Sequence, residues 1–149
     1  LKKHELVTWE TKEKGKEKTE AMLSYDSRRD RSRIQSVSGV ILKATIDPTH
    51  PLNYGISGSN LPVFKDNNLF VKIPDENYSA PLIIQENSLL SGFLSSANKN
   101  TIENTTWCMV KGKGRGQIVS FVDNPNFRAF WYGTNKVFMN ALFYGRYIR

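Results

Sequence analysis

The chain has few of the residues that usually narrow a function. Its one cysteine, Cys108, excludes an intrachain disulfide and any multi-cysteine metal site. Two histidines, His4 and His50, leave little for a zinc centre or for histidine-based catalysis. No apolar run approaches the roughly 18 residues of a membrane span, and the opening residues contain no signal-peptide core. Because the first residue is Leu1, we expect a piece of a longer protein or a mature product.

The composition is that of one folded domain. The chain has 149 residues, of which 39% are hydrophobic and 11% aromatic, enough for a single core. The net charge is +7. Residues 1–33 contribute +3 and the remainder +4, so the excess is spread along the chain. Without a dense basic face or a recognition motif, this distribution favours solubility over nucleic-acid binding.

The charge pattern divides the chain in two. Residues 1–35 form a charged segment that we predict to be a helix or linker, and residues 36–149 form the domain. The mixed-sign run 10–20 is typical of a solvated helix or linker. Weak helical periodicity follows over 21–34. Its basic run 28–33 could contact phosphate, but a helix surface with paired charges is the favoured interpretation.

Residues 36–149 alternate short apolar runs with polar turns, which predicts an α/β domain. The glycine-rich run 111–116 lacks the spacing of a phosphate loop and is interpreted as a hairpin turn. Residues 117–122 alternate little, which predicts a strand covered on both faces. Thr134 is the predicted N-cap of a final helix, with Leu142 on its buried apolar face. The predicted strands are 40–46, 61–64, 69–73, 82–85, 105–110 and 117–122, and the later helices are 95–104 and 134–144.

The loop after the last strand is the strongest candidate site. Ligands of open α/β sheets collect at the carboxyl ends of strands. A carboxylate, an arginine and aromatic rings together suit carbohydrate, peptide or carboxylate contacts. In the alternative interpretation, Arg128 pairs with Asp123 while Phe127, Phe130 and Trp131 pack the loop down. The candidate ligand-binding residues here are Asp123, Asn124, Asn126, Arg128, Trp131 and Tyr132.

Two further residues have a functional and a structural interpretation. Cys108 could be a nucleophile, but it lies inside a predicted strand without an elbow motif, which favours a buried structural cysteine. His50 lies between Pro48 and Pro51 and is a candidate ligand-binding residue. The alternative is a loop histidine hydrogen-bonded to backbone.

Several motifs from His50 onward occur in a known order. They are HPLNYG at 50–55, VFK at 63–65, SGF at 91–93 and the long stretch 112–145. Together they resemble the C-terminal domain that follows the catalytic domain in certain large secreted bacterial zinc carboxypeptidases. That domain is similar to class I glutamine amidotransferases, which have a flavodoxin-like parallel sheet. The resemblance therefore implies a partial flavodoxin-like sheet with a C-terminal helix.

The same resemblance implies that this chain is not catalytic. Active amidotransferases carry His-Pro-Glu after the last core strand, whereas residues 120–125 here are SFVDNP, and the cysteine elbow is missing. The carboxypeptidase zinc site needs His-x-x-Glu and a distant histidine, which this chain lacks, so zinc is implied only for a separate catalytic domain.

The expected function is an accessory domain of a secreted or periplasmic peptidase, with no cofactor of its own. It would serve docking, stability or substrate presentation, and its partner would be the parent's catalytic domain. A partial sheet with an exposed edge could also form a homodimer. The alternative is a carbohydrate- or peptide-binding module that uses the loop 123–132.

Overall fold

The computed structural model describes residues 11–12, 24–76 and 78–148. In that part of the chain the fold is α/β, with a curled antiparallel sheet and three α-helices. The helices are α1 (Ser27–Gln35), α2 (Ser96–Ile102) and α3 (Tyr132–Tyr144). The strands are β1 (Val40–Ile46), β2 (Asn60–Lys65), β3 (Val71–Lys72), β4 (Leu82–Ser91), β5 (Thr105–Lys113) and β6 (Gly116–Phe121).

The sheet has the order β2-β1-β4-β5-β3, and β6 pairs with β5. Every pairing between the described strands is antiparallel, whereas the family resemblance implied parallel pairing. Cys108 of β5 pairs with Leu82 of β4 and also with Phe121 of β6. Since β3 also pairs with β5 opposite β4, β3 and β6 lie end to end along the same edge of β5.

Strand burial follows the sequence pattern in β1 and departs from it in β6. In β1 the side chains at alternate positions, from Val40 to Ile46, are buried, and Lys43 between them is exposed. Residues 105–110 of β5 are all buried, so both faces of this central strand are covered along that stretch. The prediction that residues 117–122 are covered on both faces is wrong. The strand β6 lies at an edge of the sheet, and its residues after Gly116 are only half-buried.

Two element lengths differ from the prediction because tertiary pairing extends or trims them. The strand β4 continues to Ser91, well past its predicted end at residue 85. Leu42 and Ala44 of β1 face Leu89 and Ile84 of β4, so a large bulge interrupts the ladder. The strand β3 keeps only two residues of the predicted five. The predicted hairpin between the last two strands is confirmed.

The C-terminal helix is confirmed, but its cap and its buried face differ from the prediction. It begins at Tyr132, and Thr134 instead donates to the Pro125 carbonyl at 2.6 Å. Leu142 is 65% exposed, which corrects the prediction that it faces the core. Asn140 is buried in its place and donates to the carbonyls of Leu52 and Tyr54, at 2.8 and 3.0 Å. This helix packs on β2 and on the 3-10 turn Pro51–Asn53.

The N-terminal segment is described in part. The helix α1 agrees with the prediction over 21–34, whose first three residues lie outside the described ones. Most of the run 10–20 also lies outside them. Thr11 forms an antiparallel bridge with Val71, and the Lys12 ammonium donates to the Glu103 carbonyl at 2.7 Å. The division at residues 35 and 36 stays a prediction. Among the described helices, none has the length and apolarity to cross a membrane.

Candidate functional site

Asp123, the first residue of the candidate loop, is part of a buried ion pair. Its Oδ2 lies 3.2 Å from the Lys65 ammonium, and the two side chains are 3% and 2% exposed. Its Oδ1 accepts hydrogen bonds from the Asp66 backbone N–H at 2.8 Å and from the Asn67 amide at 2.7 Å. The Lys65 ammonium also donates to the Leu69 carbonyl and to Asn67 Oδ1. Both charged groups are therefore fully hydrogen-bonded within the protein.

Strand alternation places Lys65 in the interior. Leu61, Val63 and Lys65 are every second residue of β2, and all three are buried. The ammonium also lies 5.2 Å from the centre of the Phe70 ring. Burial lowers the pKa of Lys65 and raises the pKa of Asp123, and the opposite charge of each partner offsets part of these shifts. The predicted strand ended at residue 64, although the register of Lys65 with Leu61 and Val63 was a signal for burial.

The ion pair changes the prediction for Arg128. In the packing interpretation of the loop, Arg128 was the partner of Asp123, and the structure assigns that place to Lys65. The Arg128 guanidinium instead lies 5.2 Å from the centre of the Phe127 ring, and its side chain is exposed. Asp123 is 7% exposed and its oxygens are occupied, so it is not free to contact a ligand.

The aromatic part of the loop packs down, as the alternative interpretation predicted. Phe127 stacks on Phe64 of β2 with ring centres 3.9 Å apart. The Trp131 indole N–H donates to the Pro62 carbonyl of the same strand at 3.3 Å. Phe130 is the exception, because it remains 56% exposed. The packing attaches the loop to the outer strand of the sheet.

Short polar contacts fix the two asparagines of the loop. Asn124 Oδ1 accepts from the Asn126 backbone N–H at 2.9 Å, which closes a local turn. Asn126 Oδ1 accepts from the Asn135 amide of α3 at 2.8 Å. Both side chains therefore hold the loop in shape.

Three large side chains near the tip of the loop remain open to solvent. They are Arg128, Phe130 and Tyr132, of which Tyr132 is 78% exposed. Arg128 and Ala129 have φ values of 49° and 56°, a backbone conformation that is uncommon for residues other than glycine. Of the six predicted residues, only Arg128 and Tyr132 remain as candidate ligand contacts. Phe130, which was not among the six, joins them.

His50 lies at a different site from the loop. It is 6% exposed, and its Nδ1 accepts from the Leu52 backbone N–H at 3.1 Å, as the structural interpretation predicted. Burial lowers the pKa of His50, and the Asp47 charge and the Tyr78 backbone act in the opposite direction. The ring lines a cavity of about 420 Å³, to which none of the six loop residues contributes.

Cys108 is structural. The side chain is fully buried in the central strand β5, and burial raises the pKa of its thiol far above the usual range. The thiol is therefore protonated and shielded from substrates at neutral pH. Across the described ranges, no three His, Cys, Asp or Glu side chains converge as metal ligands would.

The chain matches no protein-family model, no curated protein and no solved structure.

Proposed function

We propose that this chain is a non-catalytic accessory domain of a secreted zinc carboxypeptidase-like protein, serving docking, stability or substrate presentation. The observation that carries the proposal is the buried pair of Lys65 and Asp123. Asp123 lies in the stretch 120–125, which the resemblance matches to the His-Pro-Glu sequence of active amidotransferases. In this chain the Asp123 carboxylate accepts bonds from three donors and joins β2 to the end of β6. It is thus committed to holding the fold together.

The fold proposal has the same basis. We assign the domain to a partial flavodoxin-like, amidotransferase-like arrangement on the motifs between residues 50 and 145. The described strands pair antiparallel, so parallel pairing in this arrangement requires strands other than those six. Zinc, on this proposal, belongs to the parent's separate catalytic domain.

The outer face of α3 supports a docking role. Leu142 and Phe143 are 65% and 67% exposed, and Met139 lies one turn before them at 39%. Neighbouring apolar side chains on the outside of a helix are typical of a surface that a partner covers. The partner in this proposal is the catalytic domain of the parent protein.

Two measurements test the proposal. The purified chain, incubated with glutamine or with C-terminal peptide substrates in the presence of zinc, should show no turnover above buffer. Leu142→Glu should weaken association with the parent's catalytic domain without lowering the melting temperature. Lys43→Glu, a charge change on exposed β1 surface, is the control and should leave the association unchanged. Turnover that a point substitution abolishes would contradict the non-catalytic role, and equal binding by both variants would contradict docking through α3.

A second candidate is a carbohydrate- or peptide-binding module that uses the loop 123–132. The exposure of Arg128, Phe130 and Tyr132 at the loop tip favours it. Arg128→Ala and Tyr132→Ala should weaken sugar or peptide binding with an unchanged melt. Trp131→Ala, which removes a packing contact, should lower the melting temperature. Unchanged binding in the first two variants would refute this candidate.

A further inference from the structure

A cavity lies at the end of the sheet where four segments meet. They are the loop after β1, the loop before β4, the strands of the β5–β6 hairpin and the C-terminal residues. Its volume is about 420 Å³, large enough for an amino-acid side chain with the backbone on either side. It is separate from the loop 123–132, so a ligand here would not depend on that loop.

His50 presents one hydrogen-bond donor to this cavity. Its Nδ1 accepts from the Leu52 N–H, so in the neutral ring the proton is on Nε2. Among the described residues, no acceptor stands in hydrogen-bond geometry to the buried Nε2, although the Tyr78 backbone is near enough to raise the pKa of the ring. A buried donor without a partner costs free energy, which a ligand acceptor would recover. A carbonyl oxygen is such an acceptor.

The charge of the cavity lining is opposite to that of the protein. Asp47 and Glu76 line it, and no lysine or arginine is among the described lining residues, although the chain carries +7. Glu76 has a neighbour in Lys111, whose ammonium lies 3.7 Å away, with both side chains largely exposed. Such an exposed pair is weak and can exchange for another cation.

The remaining polar groups of the lining are hydroxyls and one amide, beside two aromatic rings. The Gln117 amide nitrogen donates to the Ile148 carbonyl at 2.8 Å, so the amide oxygen is the group left for a ligand. Tyr78 and Tyr147 are 80% and 57% exposed and also line the cavity. Aromatic faces and carboxylates together attract ammonium and guanidinium groups.

We propose that this cavity binds a peptide through one basic side chain. The arginine or lysine of the ligand lies between Asp47, Glu76 and the Tyr78 ring, since the Tyr147 ring already has the Arg146 guanidinium 4.7 Å from its centre. A neighbouring carbonyl of the ligand accepts from His50 Nε2. A basic peptide can satisfy both the two carboxylates and the His50 donor. A free cation would satisfy only the carboxylates and would leave His50 without an acceptor. The site is independent of the proposed accessory role.

His50 is its own reporter. The chain has two histidines, so in a His4→Gln background the only imidazole resonances are those of His50. We would titrate this full chain with acetyl-Gly-Arg-Gly-amide and follow the ring ¹H–¹⁵N correlations. The expected result is a saturable shift of Nε2, with a dissociation constant in roughly the high micromolar to millimolar range for so small a ligand. The citrulline analogue, which has the same shape without the charge, should bind about tenfold more weakly.

Matched variants separate the site from the overall charge. Glu76→Gln and Glu86→Gln raise the net charge equally, and both side chains are exposed, but only Glu76 lines the cavity. Glu76→Gln should weaken the arginine peptide about fivefold, and Glu86→Gln should leave its affinity unchanged. Three results would each overturn the proposal. They are an unshifted His50 resonance on titration, equal affinities for the arginine and citrulline peptides, and equal effects of Glu76→Gln and Glu86→Gln on the arginine peptide. Unshifted His50 resonances in the free variants establish that the cavity is intact.

Discussion

The buried pair of Lys65 and Asp123 gives the sharpest test of how this fold is held together. Lys65→Met keeps the length of the side chain and removes its charge. The Asp123 carboxylate then keeps two of its three donors, the Asp66 N–H and the Asn67 amide. It remains buried, because Asp123 is only 7% exposed. Removing one partner of a buried pair costs about 3–5 kcal/mol, because the remaining charge is buried without compensation. We expect Lys65→Met to lower the free energy of unfolding by about 3 kcal/mol.

The assay is urea unfolding at neutral pH, followed by tryptophan fluorescence. Trp107 is 1% exposed, and its indole N–H donates to the Phe64 carbonyl next to Lys65, so it reports on this region. Lys43→Met, on the exposed face of β1, is the matched control and should change the stability by less than about 0.5 kcal/mol. Asp123→Asn should destabilise by a similar amount to Lys65→Met. The double variant should lose less than the sum of the two, with a coupling above about 1 kcal/mol.

The pH dependence of Lys65→Met adds a second, independent result. Burial already raises the pKa of Asp123 above its unfolded value, and loss of the cation raises it further. A group with a raised folded pKa stabilises the fold at low pH, and this contribution is lost as the pH rises. The deficit of Lys65→Met relative to the wild type should therefore shrink between about pH 8 and about pH 5. The reasoning would be refuted by a cost of Lys65→Met below about 1 kcal/mol. It would also be refuted if the effects of Lys65→Met and Asp123→Asn were additive, or if the stability deficit of Lys65→Met did not change with pH.

Three further predictions follow from buried polar groups and from the thiol. Asn140→Ala should cost about 2–4 kcal/mol in urea unfolding, because it leaves the buried Leu52 carbonyl and the partly buried Tyr54 carbonyl without this donor. A cost below about 0.5 kcal/mol would contradict a stabilising role for these two bonds. Cys108 should not react with a thiol reagent in the native state and should react in denaturant, whereas rapid native labelling would show it accessible. The lowered pKa of His50 means that its stabilising contribution is present above the unfolded pKa and is lost as the pH falls through the folded pKa. In a His4→Gln background, the melting temperature should therefore fall below about pH 6.5, and His50→Asn should flatten this slope, which an unchanged slope would disprove.

Local pattern predicts those parts of the fold in which burial follows the order of adjacent residues in the sequence. Alternation in β1, the glycine turn before β6 and the final helix are all present where the sequence places them. The prediction was wrong where burial depends on a distant strand. Residues 117–122 are mostly apolar, yet β6 pairs with β5 alone, and its side chains after Gly116 are only half-buried. Leu142 is apolar and exposed, while Asn140 is polar and buried against the turn that begins at Pro51.

The candidate site shows the same division. Composition directed attention to the loop after Val122, but it could not tell which of its side chains would be used in packing and ion pairing. Asp123 found its partner 58 positions earlier in the chain, and Arg128 was left at the surface. For His50, the hydrogen bond from the Leu52 N–H agrees with the alternative interpretation of a loop histidine bonded to backbone.

The sequence alone determined where short strands and the last helix form, because the spacing of apolar residues within a short stretch indicates its secondary structure. Tertiary structure decided which strands pair, in which direction, and which charges meet inside. Those choices depend on contacts between residues far apart in the chain, as in the placement of β4 between β1 and β5. Such contacts become favourable only when several elements assemble and exclude water together, so no local stretch of sequence could specify them.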